Sequence, residues 1–128
     1  MILIKLGGSI ITNKGKPESA RRKTIDNILK QIKKINEPKI LVHGGGSYGH
    51  YWSVKYGMHT KPARYSLKGL SVVKNSMIEL NKIILDSATK NTFRPDLDIL
   101  VASVIFRVIP PVTSIEFLLI FGFSFLKS

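Results

Sequence analysis

The chain has 128 residues, a formal net charge of +12, 44% hydrophobic residues and no cysteine. This length predicts one domain or a large part of one, and the absence of cysteine excludes a disulfide-stapled scaffold. Of the 20 Lys and Arg residues, 18 lie before residue 95. Such a basic excess suits nucleic acid, an anionic membrane surface or a small phosphorylated ligand, and charge alone does not choose among them.

The first part of the chain alternates predicted strands and helices. The apolar run Ile2–Leu6 predicts a buried strand that ends at a glycine pair. After a stretch rich in turn-forming residues, hydrophobic residues at steps of three and four predict an amphipathic helix from Glu18 to Asn36. Pro38 ends this helix, and a second apolar strand, Lys39–Val42, leads into three glycines.

The next elements extend the same pattern. Residues Tyr51–Gly57 predict a short helix ended by Gly57, and Met58–Ser66 predict an exposed loop. Apolar steps of three and four predict a long helix from Leu67 to about Thr89, and Ile99–Phe106 predict another buried strand. The resulting order of elements predicts an α/β fold with parallel strands joined by right-handed crossovers and covered by helices.

The composition changes after Pro95. The remaining residues are mostly apolar and carry a net charge of −1. Arg107, the pair Pro110-Pro111 and Glu116 divide them into runs too short for a membrane-spanning helix. We therefore treat residues 1–95 and 96–128 as separate units and do not expect a membrane protein. The N-terminus lacks the basic-then-apolar order of a signal peptide, so we expect a cytoplasmic location.

The two glycine turns are the candidate functional site. Gly7-Gly8 follows the first predicted strand, and Gly44-Gly45-Gly46 follows the second. Adjacent parallel strands would bring both turns to the edge where open α/β sheets bind ligands. Glycine lets backbone N–H groups approach an anion closely, and a helix beginning near Ser47 or Tyr48 would add its positive dipole end. The sequence therefore predicts two phosphate sites side by side.

The motifs IKLGGSIITNK and VHGGGSYGH resemble the two glycine motifs of the amino acid kinase superfamily. The histidine that closes the second motif, His50, makes it similar to the archaeal-type isopentenyl phosphate kinases. The resemblance covers residues 1–95 and implies an amino-acid-kinase-like three-layer sandwich with a mainly parallel sheet. It implies an incomplete sheet, because a nucleotide-binding C-terminal half is not recognisable from Asp96 onward. A truncation, a frameshift or an altered terminus would each produce this pattern.

The resemblance implies transfer of a phosphoryl group from ATP to isopentenyl phosphate, giving isopentenyl diphosphate for isoprenoid biosynthesis. It assigns the catalytic charge stabilisation to Lys5 and Lys14, and His50 to the acceptor phosphate. The residues implied for the ATP phosphates are Lys5, Leu6, Gly7, Gly8, Ser9 and Gly46, and those for the acceptor phosphate are Gly45, Gly49 and His50. Mg²⁺ is expected with ATP, although no ligand for it is assigned, and a homodimer is compatible with the family.

Other functions stay open from the sequence. One is a member of the same superfamily that acts on a small phosphonate, carboxylate or nucleotide, and another is a phosphate-binding module without catalysis. Nucleic-acid binding is not favoured, because the basic residues lie largely on amphipathic helix faces and no known module is present. We interpret His43 as a structural hydrogen-bonding residue at a strand end and His59 as an ordinary loop residue.

Overall fold

A computed structural model describes residues 1–60, 62, 65–91 and 99–103, the last range by its backbone alone. The strands among these residues form one parallel sheet in which strands consecutive in the chain are neighbours. This arrangement confirms the expected α/β fold with a parallel sheet. The elements are β1 (Ile2–Leu6), α1 (Gly8–Ile11), α2 (Arg22–Ile32), β2 (Lys39–His43), α3 (Gly46–Lys55), α4 (Leu67–Lys90) and β3 (Ile99–Ser103).

The register of the first two strands sets the position of the glycine turns. Leu6 at the end of β1 lies opposite His43 at the end of β2, so both strands finish at the same level of the sheet. On one face, Leu6 and Leu41 are buried, whereas Leu3 on the opposite face is 69% exposed. Because α2 and α4 belong to the same buried cluster as Leu6 and Leu41, these helices cover one face of the sheet.

Helix α4 is the longest of the described elements and closely matches its prediction. It begins after Ser66, whose Oγ accepts a hydrogen bond from the Gly69 N–H at 3.0 Å, as a helix N-cap does. Its buried face is formed by Val73, Met77, Leu80, Ile84 and Ala88 at steps of three and four. Among the residues that the structure describes, no helix is long and apolar enough to cross a membrane.

The prediction for α2 was wrong at both ends. At the start, Glu18 has a positive φ of 49°, and Ala20 pairs with Thr12 in an isolated antiparallel bridge. Residues 18–21 are therefore held outside the helix. At the end, the Lys34 and Ile35 N–H groups donate to carbonyls three residues earlier, at 3.1 Å each, so the chain leaves the helix in tight turns.

Two shorter helices also differ from their predictions. Helix α3 begins inside the glycine run, one residue before the expected start, and includes most of the helix expected at Tyr51–Gly57. Gly57 does end it: its φ is +68°, and the Met58 N–H reaches back to the Ser53 carbonyl at 2.8 Å. Helix α1 was not predicted, because four residues are too few to give a periodicity.

Strand β3 continues the sheet beyond residue 95. Residues Ile99–Ser103 pair in parallel with β2, which confirms this part of the strand predicted at Ile99–Phe106. The rest of that strand and the charged and proline breaks that follow it lie outside the described residues. The same is true of Lys61 and Arg64 in the predicted loop.

Candidate functional site

The two glycine turns touch each other through their backbones. The Gly44 N–H donates to the Leu6 carbonyl at 2.9 Å, which extends the pairing of the two strands into the turns. A Cβ added to Gly8 would lie 2.7 Å from the Cα of Gly46, and one on Gly44 would lie 3.0 Å from the Gly8 nitrogen. Glycine is therefore needed here for contact between the turns, and the turns form one continuous surface.

Gly46 has a second reason to be glycine. Its φ is +48°, a left-handed conformation that other residues rarely adopt. A Cβ at this position would also collide with the Thr12 side chain and would lie 2.6 Å from the Gly8 carbonyl oxygen. Gly7 differs, because the nearest atom to its added Cβ is the Ile10 Cδ1 at 3.5 Å, an ordinary contact.

Unpaired backbone donors lie on this surface. Within residues 1–60, 62, 65–91 and 99–103, the N–H groups of Gly8, Gly45 and Gly46 donate no hydrogen bond to the protein. They belong to the start of α1 and the start of α3, where amides lack partners within the helix, and at the ten-residue helix α3 the positive end of the dipole adds to them. Such donors suit the oxygen atoms of a phosphate group.

A buried threonine joins the two turns. Thr12 is fully buried, and its Oγ1 donates to the Gly8 carbonyl at 2.7 Å and accepts from the Ser47 N–H at 2.9 Å. The Ser47 Oγ in turn accepts from the Ser19 N–H at 3.2 Å. Sequence reasoning gave Thr12 no role and missed its bond to Ser47, because neither periodicity nor a local motif marks a bond between residues 35 positions apart.

The two lysines that the sequence predicts to stabilise phosphate charge lie around the first glycine turn. Lys5 is exposed on β1, on the face of the sheet opposite to the core, and Lys14 is exposed in the loop that follows α1. This loop has a fixed base, because the Asn13 N–H donates to the Ser19 carbonyl at 2.9 Å. The side chain of Leu6 is buried, so only its backbone can face a ligand, whereas Ser9 is exposed.

The same loop is attached to α3. The Trp52 indole N–H donates to the Glu18 carboxylate at 2.7 Å, and the Lys55 ammonium lies 4.9 Å from the centre of the Trp52 ring. Glu18 therefore links the loop that carries Lys14 to the helix that follows the second turn. Sequence analysis assigned no role to these contacts.

The residues predicted to bind the acceptor phosphate lie at the N-cap of α3 and in the helix itself. The Gly49 N–H donates to the Gly45 carbonyl at 3.0 Å, and a Cβ on Gly45 or Gly49 would lie 2.9 or 3.2 Å from the Met77 Sδ. These two glycines therefore let α3 pack closely on α4. His50 follows them and is exposed.

His59 is more than the ordinary loop residue that the sequence indicated. Its ring meets that of His50 edge-on, with the ring centres 5.1 Å apart and the planes at 67°. Its Nε2 lies 3.1 Å from the Ser53 Oγ, whose hydroxyl proton is donated to the Gly49 carbonyl at 2.7 Å. His59 thus packs against one side of His50, the residue predicted to bind the acceptor phosphate.

His43 has the structural role that the sequence predicted. Its side chain is 1% exposed, its Nε2 lies 3.3 Å from the Asn81 Oδ1, and its Nδ1 lies 3.3 Å from the Gly44 carbonyl. Burial lowers the pKa of His43 below its ordinary value, against the opposing effect of these two contacts. The lowered pKa favours the neutral imidazole, which has one N–H and can donate to only one of these two oxygens, and the buried ring packs at the end of β2 and the start of the second turn.

Comparison with known proteins identifies the family. The sequence model of the amino acid kinase family matches residues 1–107, and the chain belongs to this family. The isopentenyl phosphate kinase of Thermoplasma acidophilum is 34% identical over 95 residues, which are 74% of this chain and 39% of that relative. The isopentenyl phosphate kinase of Methanocaldococcus jannaschii is 32% identical over 99 residues, 68% of this chain and 38% of the relative.

The fold agrees with the same relatives. The crystal structure of the T. acidophilum isopentenyl phosphate kinase product complex matches with a TM-score of 0.66 and 32% identity, covering 73% of this chain and 40% of that chain. A further structure of an isopentenyl phosphate kinase matches with a TM-score of 0.61 and 28% identity, covering 71% of this chain and 39% of that one. The chain thus spans about two fifths of the length of these relatives.

Proposed function

We propose that the chain binds isopentenyl phosphate at the second glycine turn and, together with the first turn, supplies the phosphate-holding part of an ATP-dependent kinase that forms isopentenyl diphosphate. The observation that carries the proposal is the backbone contact between Gly8 and Gly46, which brings side by side two sets of amides that donate to no other described residue. Similarity to isopentenyl phosphate kinases supports the choice of acceptor. The product would serve isoprenoid biosynthesis, and we propose that it forms in the cytoplasm.

The two turns would divide the work. Lys5 and the Gly8 amide would hold the phosphates of the donor, whereas Gly45, Gly49 and His50 would hold the acceptor phosphate. Transfer of a phosphoryl group depends on alignment and charge stabilisation rather than on covalent catalysis by the protein. Lysines and backbone amides suffice for this task, and Lys14 would add charge from its loop.

His50 would donate a hydrogen bond to the acceptor phosphate. A protonated imidazole makes a charge-assisted bond to a phosphate oxygen, which is stronger than a bond between neutral groups. A general base is not needed, because a phosphate oxygen of the acceptor is already an adequate nucleophile. The exposed position of His50 beside Gly49 suits this role.

The described residues fit the phosphate end of ATP, since the unpaired amides lie at the starts of α1 and α3. When bound, ATP supplies the phosphoryl group that is transferred. Across the described ranges, no group of three or more His, Asp or Glu residues could hold a metal ion. We therefore propose that Mg²⁺ is held mainly by substrate phosphates and water, as it often is in phosphoryl-transfer sites.

Calorimetry on the 128-residue chain tests this proposal. We expect weak binding of isopentenyl phosphate, little binding of ATP and no measurable release of ADP, because the chain spans about 39% of its relative from T. acidophilum. His50→Ala should weaken isopentenyl phosphate binding about tenfold or more, since a hydrogen bond to a charged group contributes about 1.5–3 kcal/mol. Lys30→Ala, an exposed charge on α2, is the matched control.

The comparison of ligands makes the test specific. Isopentenol, which lacks the phosphate, should not bind, and fosfomycin, glutamate and UMP should bind less tightly than isopentenyl phosphate. Equal binding by the wild-type and His50→Ala chains would contradict the acceptor assignment. Sustained ADP release that disappears in His50→Ala would contradict the expected lack of turnover and would show that these residues suffice for catalysis.

A further inference from the structure

The hydroxyl of Thr12 is the side-chain group that bridges the two glycine turns. It donates a hydrogen bond to the Gly8 carbonyl of the first turn, at 2.7 Å, and accepts one from the Ser47 N–H at the start of α3, at 2.9 Å. Thr12 is 0% exposed, so no water competes for either bond. The side chain occupies the space that a Cβ on Gly46 would need.

We propose that Thr12 is a positioning residue that sets the distance between the donor phosphate and the acceptor phosphate. This inference rests on the proposed function. Thr12 does not face either ligand, because it is buried beneath the turns. It acts through Gly8 on the donor side and through the start of α3 on the acceptor side.

The two turns do not need Thr12 equally for every ligand. A ligand with a single phosphate binds one turn, and that turn keeps its own amides and side chains when the hydroxyl is removed. A ligand with two linked phosphates must contact both turns at a fixed separation. Because misplacement by about 1 Å can cost as much as 100-fold in aligned reactions, a change in separation should affect the second kind of ligand selectively.

The ratio of two affinities measures this separation. We would determine the Kd of isopentenyl phosphate and of isopentenyl diphosphate for the 128-residue chain and for Thr12→Val and Thr12→Ser. A lower folded fraction raises both apparent Kd values by the same factor and cancels in their ratio. A purely structural role for Thr12 would therefore leave the preference for diphosphate unchanged.

We expect the wild-type chain to bind the diphosphate more tightly than the monophosphate. Thr12→Val should reduce this preference about tenfold and change the Kd of isopentenyl phosphate by less than about twofold, whereas Thr12→Ser, which keeps the hydroxyl, should retain the preference. If the valine crowds Gly46 and prevents folding, Thr12→Ala removes the same hydroxyl without adding volume, and the same loss of preference is expected.

Each other outcome has a definite meaning. A preference that persists in Thr12→Val or Thr12→Ala, or one that is lost in Thr12→Ser, overturns the positioning role. A wild-type chain that binds both ligands equally also overturns it, but leaves the proposed function standing. A wild-type chain that binds neither ligand overturns the proposed function itself.

Discussion

The two glycine turns sit side by side at the ends of β1 and β2, yet they are held in different ways. The first opens into a helix of four residues and a loop, and its Gly7 has room for a side chain. The second opens into a helix of ten residues whose glycines pack against Met77 of α4. One glycine-rich pattern in the sequence thus combines positions with strict steric requirements and a position without them.

The turns also differ in the charged groups beside them. Lys5 and Lys14 accompany the first turn, and His50 and His59 accompany the second. We therefore expect substitutions near the first turn to reduce the stabilisation of the transferred phosphoryl group, and substitutions near the second turn to weaken binding of the acceptor phosphate. The predictions below test this difference in order of expected effect.

The largest effect is expected at the two lysines of the first turn. Lys5→Met and Lys14→Met should each lower kcat and kcat/KM together by about 10²–10³-fold, because the lost charge would stabilise mainly the transition state. Steady-state kinetics in a longer chain that carries these residues and turns over would measure it. Lys16→Met, in the same loop as Lys14, is the control, and near-normal turnover of Lys14→Met would remove Lys14 from the mechanism.

The steric difference between the turns predicts the next effect. Gly46→Ala should lower the free energy of unfolding by about 3 kcal/mol, because it combines a left-handed backbone with overlap against Thr12 and Gly8. Gly7→Ala should change it by less than about 0.5 kcal/mol, since Gly7 has a φ of −64° and an added Cβ would make only ordinary contacts with Ile10. Urea denaturation compares the two, and equal losses would mean that the contact between the turns is unimportant.

Much of the fold could be predicted because its signals are local. Apolar runs bounded by glycine identified β1 and β2, although β1 is buried on one face only, and the helical period identified α4 nearly to the residue. The same period overextended α2, since it does not register that Ala20 pairs with Thr12 and that Glu18 is hydrogen-bonded to residues of α3. Helix α1 was missed because four residues carry no periodicity.

The candidate site was only partly predictable. The order of elements predicts neighbouring parallel strands that end at the same level of the sheet, so the close approach of the two turns could be expected. The sequence indicated that the glycines let an anion approach the backbone, whereas in the structure Gly8 and Gly46 also let the two turns approach each other. The roles of Thr12 and His59 depend on contacts between distant elements, which a single sequence does not record.

The smallest expected effect concerns the buried histidine behind the second turn. Burial lowers the pKa of His43 below 6.5, so the unfolded chain takes up a proton at a higher pH than the folded chain. The stability from neutral His43 is therefore fully present above pH 6.5 and is lost as the pH falls from there toward the folded-state pKa. The slope for one such group is at most about 1.4 kcal/mol per pH unit.

Urea denaturation between pH 5 and pH 8 would measure this slope. His43→Gln should reduce it, whereas His50→Gln, at an exposed position of the second turn, should leave it unchanged. A slope that survives in His43→Gln would assign the pH dependence to another group.

The contact between Gly8 and Gly46 also limits how this sequence can diverge. Glycine is already the smallest residue, so neither position can shrink to compensate for a side chain gained at the other. A descendant that keeps this backbone must keep both glycines, whatever its activity. Inheritance of the glycine pattern is therefore a record of the fold, and the proposed phosphoryl transfer has to be judged in a divergent copy on the residues proposed for it, Lys5, Lys14 and His50.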